Sequence, residues 1–219
     1  MIWDWSYTWQ ILPAFGSALL VTFQALLGGY MMALILGLVW AVLRIAAPAG
    51  LALAVAVGVE FVRSTPLLVQ LYALYFIGPR FGLALSPLLT GILGLGLHYS
   101  AYLAEVYRAG IEAVPRGQWE AASVLSFPTR TLWWRVIFPQ AIPPMLPTLV
   151  NYAIAMLKET PLLSAIAVVE LLQVAKQVGS QHFRYLEPMT LVGLIFLVLS
   201  LAIEAVSRSF FPGKKEVST

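Results

Sequence analysis

The sequence predicts an all-α membrane protein of five transmembrane helices, and three observations carry that prediction. The 219 residues are 60% hydrophobic and 11% charged, with a mean hydropathy of +0.86. A soluble domain of this size keeps roughly a quarter of its residues charged, so lipid must be the solvent for most of this exterior. Long uncharged runs recur, the first from Trp5 to Leu43, and a helix needs about 20 apolar residues to cross the hydrocarbon core. Between two of these runs lies a polar, basic, amphipathic island, residues 117–140, large enough to form a docking surface on one side of a bilayer.

The elements follow in order. The first span is expected at about Ser17 to Leu43, with Trp3, Trp5, Tyr7 and Trp9 forming an interfacial belt or a short surface helix ahead of it. No basic n-region or small-residue cleavage site precedes this run, and it is too long for a signal peptide, so it is expected to be retained. The second, about Leu51 to Ile77, is interrupted by Glu60 and Arg63. The third lies between Phe81 and Ala104, and Glu105 to Pro115 extends it until Pro115 and Gly117 break the helix. Glu120 to Leu125 then reads as a short helix, with Glu120 favourably placed near its start. Residues Ser126 to Thr129 read as a turn, and a second short helix enters the fourth span, Val136 to Leu157. Ala121 and Ala122 are expected on one exposed face of the first short helix, where small side chains let a partner's backbone approach. The fifth span is Pro188 to Ile203 and a few residues beyond. Between the last two, the spacing of Leu162, Leu163, Ile166, Val169, Leu171 and Leu172 suggests a short re-entrant or surface helix on the outer side.

Charge sets the orientation. Arg44, Arg108, Arg116, Arg130, Arg135, Arg208, Lys214 and Lys215 fall on one side of the five spans, and Arg80, Lys158, Lys176 and Arg184 on or near the other. The excess places the island and the C-terminus in the cytoplasm and the N-terminus outside. The net charge of +3 is spread between apolar runs rather than clustered, so membrane topology explains it better than nucleic acid does. With no cysteine, disulfides and thiolate metal sites are excluded. Two histidines without a ligand spacing give no metal site. There is no Gly-x-x-x-x-Gly-Lys-Ser/Thr, since Pro212-Gly213-Lys214-Lys215 lacks the first glycine and the hydroxyl, so ATP is not bound through a P-loop. No nucleophile–base arrangement stands out, and no catalytic residue or cofactor is expected.

Polar residues inside spans are costly and are candidate sites by default. Glu60 and Arg63 are three apart, on one helical face, and form either a structural ion pair or, with Arg63 or Thr65, part of a substrate path. Pro66 is expected to kink the helix and free backbone carbonyls. Gln70, two turns on, could share the face of Arg63. Lys158, Glu159 and Thr160 end the fourth span. They are either a snorkelling lysine and a capping glutamate or the paired charges a zwitterionic solute needs. Pro161 after them would start the next helix and leave amide donors free. His98, within the third span, reads as a packing residue or a member of the path.

The island also carries a resemblance. Glu120, Ala121, Ala122 and Pro139 match, at the required spacing, the EAA loop of the integral-membrane subunits of ATP-binding-cassette (ABC) importers. Val136 and Phe138 replace Ile and Leu conservatively. Ser126 stands where glycine is usual, a real departure, because glycine there permits a positive φ. The segments 60–70, 101–105 with 115–120, and 157–164 resemble the polar amino acid uptake branch of that family, so the similarity covers nearly the whole chain. It is faintly similar to the ectoine type at the N-terminus.

The resemblance implies a type I importer permease fold: a single domain over residues 1–219 in a bacterial inner membrane, with its coupling loop at about 105–139. It implies that Arg116, Gly117, Glu120, Ala121, Ala122, Ser126 and Pro139 couple to ABC ATPase subunits. A second permease subunit, identical or homologous, and an extracytoplasmic solute-binding protein complete the assembly, with a polar amino acid or similar zwitterion as solute. The rival reading is an ion-coupled secondary transporter or channel subunit using Glu60, Lys158 and Glu159 as a proton relay. A scaffold without transport is the third.

Overall fold

A computed structural model describes residues 3–211; Lys214, Lys215 and the Pro212–Lys215 segment lie outside them. Among the described residues every regular element is helical. Helix α1 is one continuous rod, Trp5–Ala46, of 42 residues. Trp5, Tyr7 and Trp9 are therefore the first turns of α1 rather than a separate surface helix, and Trp3 lies just ahead of it. The Asp4 carboxylate caps it, accepting from the Ser6 and Tyr7 amides at 2.9 and 3.2 Å. Those bonds, led by the Ser6 hydroxyl, hold the Asp4 carboxyl down at about 2. Pro13 lies inside α1 without ending it. At 1.5 Å per residue α1 is about twice as long as a hydrocarbon core is thick, so it must tilt or project.

The second span is broken. Helix α2, Ala49–Ser64, meets α3, Leu67–Tyr72, at Thr65–Pro66, and the two limbs differ in direction by 102°. The α3 limb continues through a π turn at Ala73–Ile77 and a 3-10 turn at Gly78–Phe81, which ends on Gly82 at φ +82°. Helix α4, Pro87–Glu112, starts six residues later than Phe81 because Ser86 caps it and Pro87 takes the first turn. Its polar extension to Glu112 is as expected. Then follow α5, Arg116–Val124; α6, the single turn Thr129–Thr131; a π stretch, Leu132–Ile137; and α7, Phe138–Glu159. A 3-10 segment, Thr160–Ile166, leads to α8, Leu171–His182, and α9, Leu186–Phe210. A short helix, α8, does lie between the last two spans, but it begins only at Leu171; Leu162, Leu163 and Ile166, expected in it, form the 3-10 segment ahead of it.

By length and composition, α1 and α9 can cross a membrane, and up to four crossings exist if each bent pair counts as one. The five-span count is not confirmed on those grounds. Helix α4 is not among these crossings, and Thr90, His98, Tyr99 and Ser100 on it are all buried. It lies against α1 at very close range. A Cβ added to Gly37 would come within 2.9 Å of Leu103 Cβ and 3.0 Å of the Ser100 carbonyl. Trp40 donates to the Ser100 hydroxyl at 3.2 Å beside this contact. In lipid, such packing and interhelical hydrogen bonds replace the hydrophobic drive that acts in water.

The turn after α5 answers the departure at Ser126. Ser126 adopts φ +51°, the left-handed conformation glycine would supply. The Phe127 amide donates to the Ala122 carbonyl at 3.0 Å and Ser126 to Ser123 at 3.0 Å, closing the helix end. Serine has not changed the turn; it holds the same turn under strain. Ala122, expected on the exposed face, is 4% exposed and buried inward, because this wrap folds the chain back over it; Ala121 is exposed.

Two stability effects are expected. Left-handed strain costs about 1–2 kcal/mol, partly offset by glycine's extra freedom when unfolded, so Ser126→Gly should stabilise by up to about 1 kcal/mol. Thermal unfolding of the purified chain in detergent should shift upward; a fall would show that the serine is unstrained. Gly37→Ala should destabilise by about 1–3 kcal/mol through overpacking, and an unchanged midpoint in the same measurement would show that α1 and α4 can part without cost.

Candidate functional site

The break at Thr65–Pro66 generates the polar centre. Pro66 has no amide hydrogen, and the bend leaves carbonyls at the end of α2 without helical partners. Gln70 turns back and donates through Nε2 to the Val62 carbonyl at 2.8 Å and the Thr65 carbonyl at 3.2 Å. The Thr65 hydroxyl donates to the Phe61 and Val62 carbonyls, both at 3.1 Å. The amide oxygen of Gln70 lies 3.2 Å from His98 Nδ1 on α4. Gln70 and Thr65 thus seal the break, and His98 is held against it through Gln70. Gln70 does not continue the face of Arg63, since the bend puts the two on different limbs.

Glu60 and Arg63 pair at 3.3 Å, as their spacing predicts, and Arg63 also approaches Glu105 of α4 at 3.7 Å. Glu105 receives Arg44 of α1 in a close ion pair and Arg108 at 2.9 Å. Three arginines from three helices therefore converge on one carboxylate, and Arg108 reaches on to Glu112 at 2.6 Å. The Arg63 guanidinium lies 5.4 Å from the ring centre of Tyr102, whose hydroxyl donates to the Arg63 carbonyl at 3.2 Å.

From Arg63 a wall of rings leads to the end of α7. Tyr102 and Tyr152 have centroids 5.8 Å apart, Tyr99 and Tyr152 6.3 Å, and the Tyr99 hydroxyl donates to Glu159 at 2.9 Å. Glu159 is half-buried, with Oε1 making no hydrogen bond among the described residues. Lys158 beside it is exposed and outside any ion pair found there, while buried Thr160 donates to the Leu157 carbonyl at 2.8 Å. The expected couple Lys158–Glu159 is therefore split: only Glu159 joins the cluster, and the cation joined to it through tyrosines is Arg63. Tyr102 and Tyr152 were not singled out from the sequence. Their signal was helical spacing: Tyr102 is four from His98 on α4, and Tyr152 seven before Glu159 on α7. No group of three or more potential metal ligands occurs among the described residues.

The island forms a knob. Arg116, Gly117, Glu120 and Ala121 are exposed on α5, with Val124 84% and Leu125 63% exposed at its end, and Pro139 exposed at the start of α7. Trp119 packs edge-on against Trp133 at 5.6 Å, and Gln140 donates to Gln118 at 3.3 Å. The knob is thus fastened to the root of α7 while leaving an uncovered apolar tip.

Residues 33–216 match the family model described as binding-protein-dependent transport system inner membrane component. The chain is similar to a probable amino-acid ABC transporter permease protein, y4tG, of Sinorhizobium fredii (strain NBRC 101917 / NGR234). The two are 45% identical over 199 residues, 91% of this chain and 86% of that protein. It is 31% identical to the L-cystine transport system permease protein TcyB of Bacillus subtilis (strain 168) over 201 residues, 90% of this chain and 86% of the other. Among solved structures, a chain of an amino acid ABC transporter crystallised with histidines superposes with a TM-score of 0.90 at 33% identity, covering 97% of this chain and 99% of that one. The chain belongs to the family of binding-protein-dependent transport system inner membrane components, the permease subunits of ABC importers.

Proposed function

We propose that this permease carries a polar amino acid or related zwitterion inward, between the Arg63 side chain and the Glu159 carboxylate. The observation that supports this most is the tyrosine wall of Tyr102, Tyr152 and Tyr99 linking a guanidinium to a half-buried carboxylate with a free oxygen. A zwitterion needs an acceptor for each of its charges, and aromatic faces between them suit an ammonium group. The descriptions of the relatives as amino-acid permeases point the same way. Arg63 is already paired, so a solute carboxylate would compete with Glu60 for it.

The knob is the natural seat for a motor. ATP hydrolysis falls to separate ATPase subunits, which would grip Glu120, Ala121 and the tip formed by Val124 and Leu125, with Arg116, Gly117, Ser126 and Pro139 shaping the contact. A second permease subunit, identical or homologous, would close the path, and an external solute-binding protein would deliver to it. The basic excess on the knob side favours a cytoplasmic knob and C-terminus and an external N-terminus in the bacterial inner membrane. The whole chain acts as one permease domain.

In proteoliposomes holding the complete transporter, Glu159→Gln should weaken amino acid uptake by about ten- to a hundredfold, the worth of one buried charge-assisted hydrogen bond. Uptake should require ATP and persist with a protonophore; wild-type uptake abolished by the protonophore and indifferent to ATP would favour the ion-coupled rival. Replacing both Glu120 and Ala121 with arginine should reduce transport-coupled ATPase activity to background with membrane insertion intact, and normal coupling in that variant would remove the docking role from α5.

A further inference from the structure

We propose that the cavity between α1, α2, α4 and the start of α5 is a binding site for the phosphate headgroup of an anionic phospholipid. The cavity has a volume of about 840 Å³. Three arginines line it, Arg44, Arg108 and Arg116, against a single lining carboxylate, Glu112. Glu105, just outside the lining, takes one nitrogen of Arg44, and Arg108 is consumed by Glu105 and Glu112. Arg44 Nε and Nη2 and the whole Arg116 guanidinium make no hydrogen bond among the described residues. Helix α5 begins at Arg116 without a side-chain cap, so its first amides add to the same positive field. The forked guanidinium donors match a phosphate group in shape as well as in charge.

The surroundings select a lipid over a soluble anion. Ile45, Ala52, Leu53 and Ala56 form the other side of the cavity. Leu53 is 66% exposed, and Val57, 61% exposed, follows it one turn on along the same helix. An apolar surface that runs directly into a guanidinium cluster suits a molecule with a charged head and acyl chains. A half-buried tryptophan, Trp119, stands at the rim, the residue type enriched where hydrocarbon meets water. Basic pockets between membrane helices are where anionic headgroups lodge. The inference needs the chain to sit in a bilayer; it does not need the transport path or the ATPase contact to be as proposed.

The test uses the full-length chain in detergent, incubated with phosphatidylglycerol or phosphatidylethanolamine of identical acyl chains, with retained lipid counted by native mass spectrometry. Phosphatidylglycerol should be retained about fivefold or more over phosphatidylethanolamine. Arg116→Gln, at an exposed residue outside any ion pair found here, should erase that preference with thermal unfolding unchanged. Arg130→Gln, in the same basic island but outside the cavity, should keep it. Equal retention of the two lipids, or an Arg116→Gln variant that still prefers phosphatidylglycerol, overturns the site. Equal loss in the Arg130→Gln variant reduces it to diffuse basic attraction and overturns it too. Displacement of phosphatidylglycerol by millimolar inorganic phosphate would assign the cavity to a soluble anion instead.

Discussion

Within a bilayer every backbone donor and acceptor must find a partner in the protein, and the break at Thr65–Pro66 shows what that demands. A 102° bend in the middle of an apolar segment frees carbonyls from their helical partners. Gln70 and Thr65 satisfy them, and Gln70 then needs a partner for its own amide oxygen, which brings His98 of α4 against it. The polar centre thus grows outward from one proline. Arg63 stands two residues before the break, near enough for Tyr102 to donate to its carbonyl while its guanidinium turns towards Glu105.

Glu105 shows the same economy. A carboxylate placed among helices is tolerable only if it is paired, and here Arg44, Arg63 and Arg108 all approach it. Because these arginines come from α1, α2 and α4, one acid joins three elements. Removing it would leave Arg44 without an ion-pair partner among the described residues, while Arg63 keeps Glu60 and Arg108 keeps Glu112. Glu105 is therefore the one acid that ties Arg44 of α1 into the cluster.

Much of this was legible in the sequence. The uncharged runs located α1 and α9, the three-residue spacing of Glu60 and Arg63 gave their pair, and Pro66 marked the kink. The island's helix–turn–helix form was also foreseen, and a short helix before the last span was expected about ten residues too early. What was not legible required three dimensions. Nothing local says that Arg44 meets Glu105, sixty-one residues away, or that Glu159 receives Tyr99 rather than Lys158. The lack of charge marked α4 as a span but did not say that Thr90, His98, Tyr99 and Ser100 on it are buried against its neighbours. The size of the bend could not be read either. A proline says that a helix is disturbed, while the angle is set by where Gln70 can reach. Ser126 is the reverse case: local sequence cast doubt on the turn, and hydrogen bonding across it held serine in the left-handed region all the same.

The geometry also bears on how a push on the knob would reach the solute in the proposed mechanism. Helix α5 is fixed to the segment before α7 by Trp119 on Trp133, and to the first turn of α7 by the bond between Gln140 and Gln118. Helix α7 runs from there to Glu159, carrying Tyr152 on the way. Between the two ends lie Pro143, Pro144 and Pro147, each removing one helical hydrogen bond. A helix missing several bonds in its first half bends there more readily than elsewhere. Displacement of α5 would therefore be divided between rotation of α7 as a unit and flexing at the prolines. The far half, beyond Pro147, has no such interruption and is anchored to α1 through Tyr30, which donates to the Leu149 carbonyl at 2.7 Å. With that anchor as the fixed point, movement at the knob would change the gap between the lower half of α7 and α4 before it disturbed the Tyr99–Glu159 contact. The inner end of the path would then respond first and the charge-bearing centre second, an order that lets a bound zwitterion stay held by both its charges until the way inward has opened.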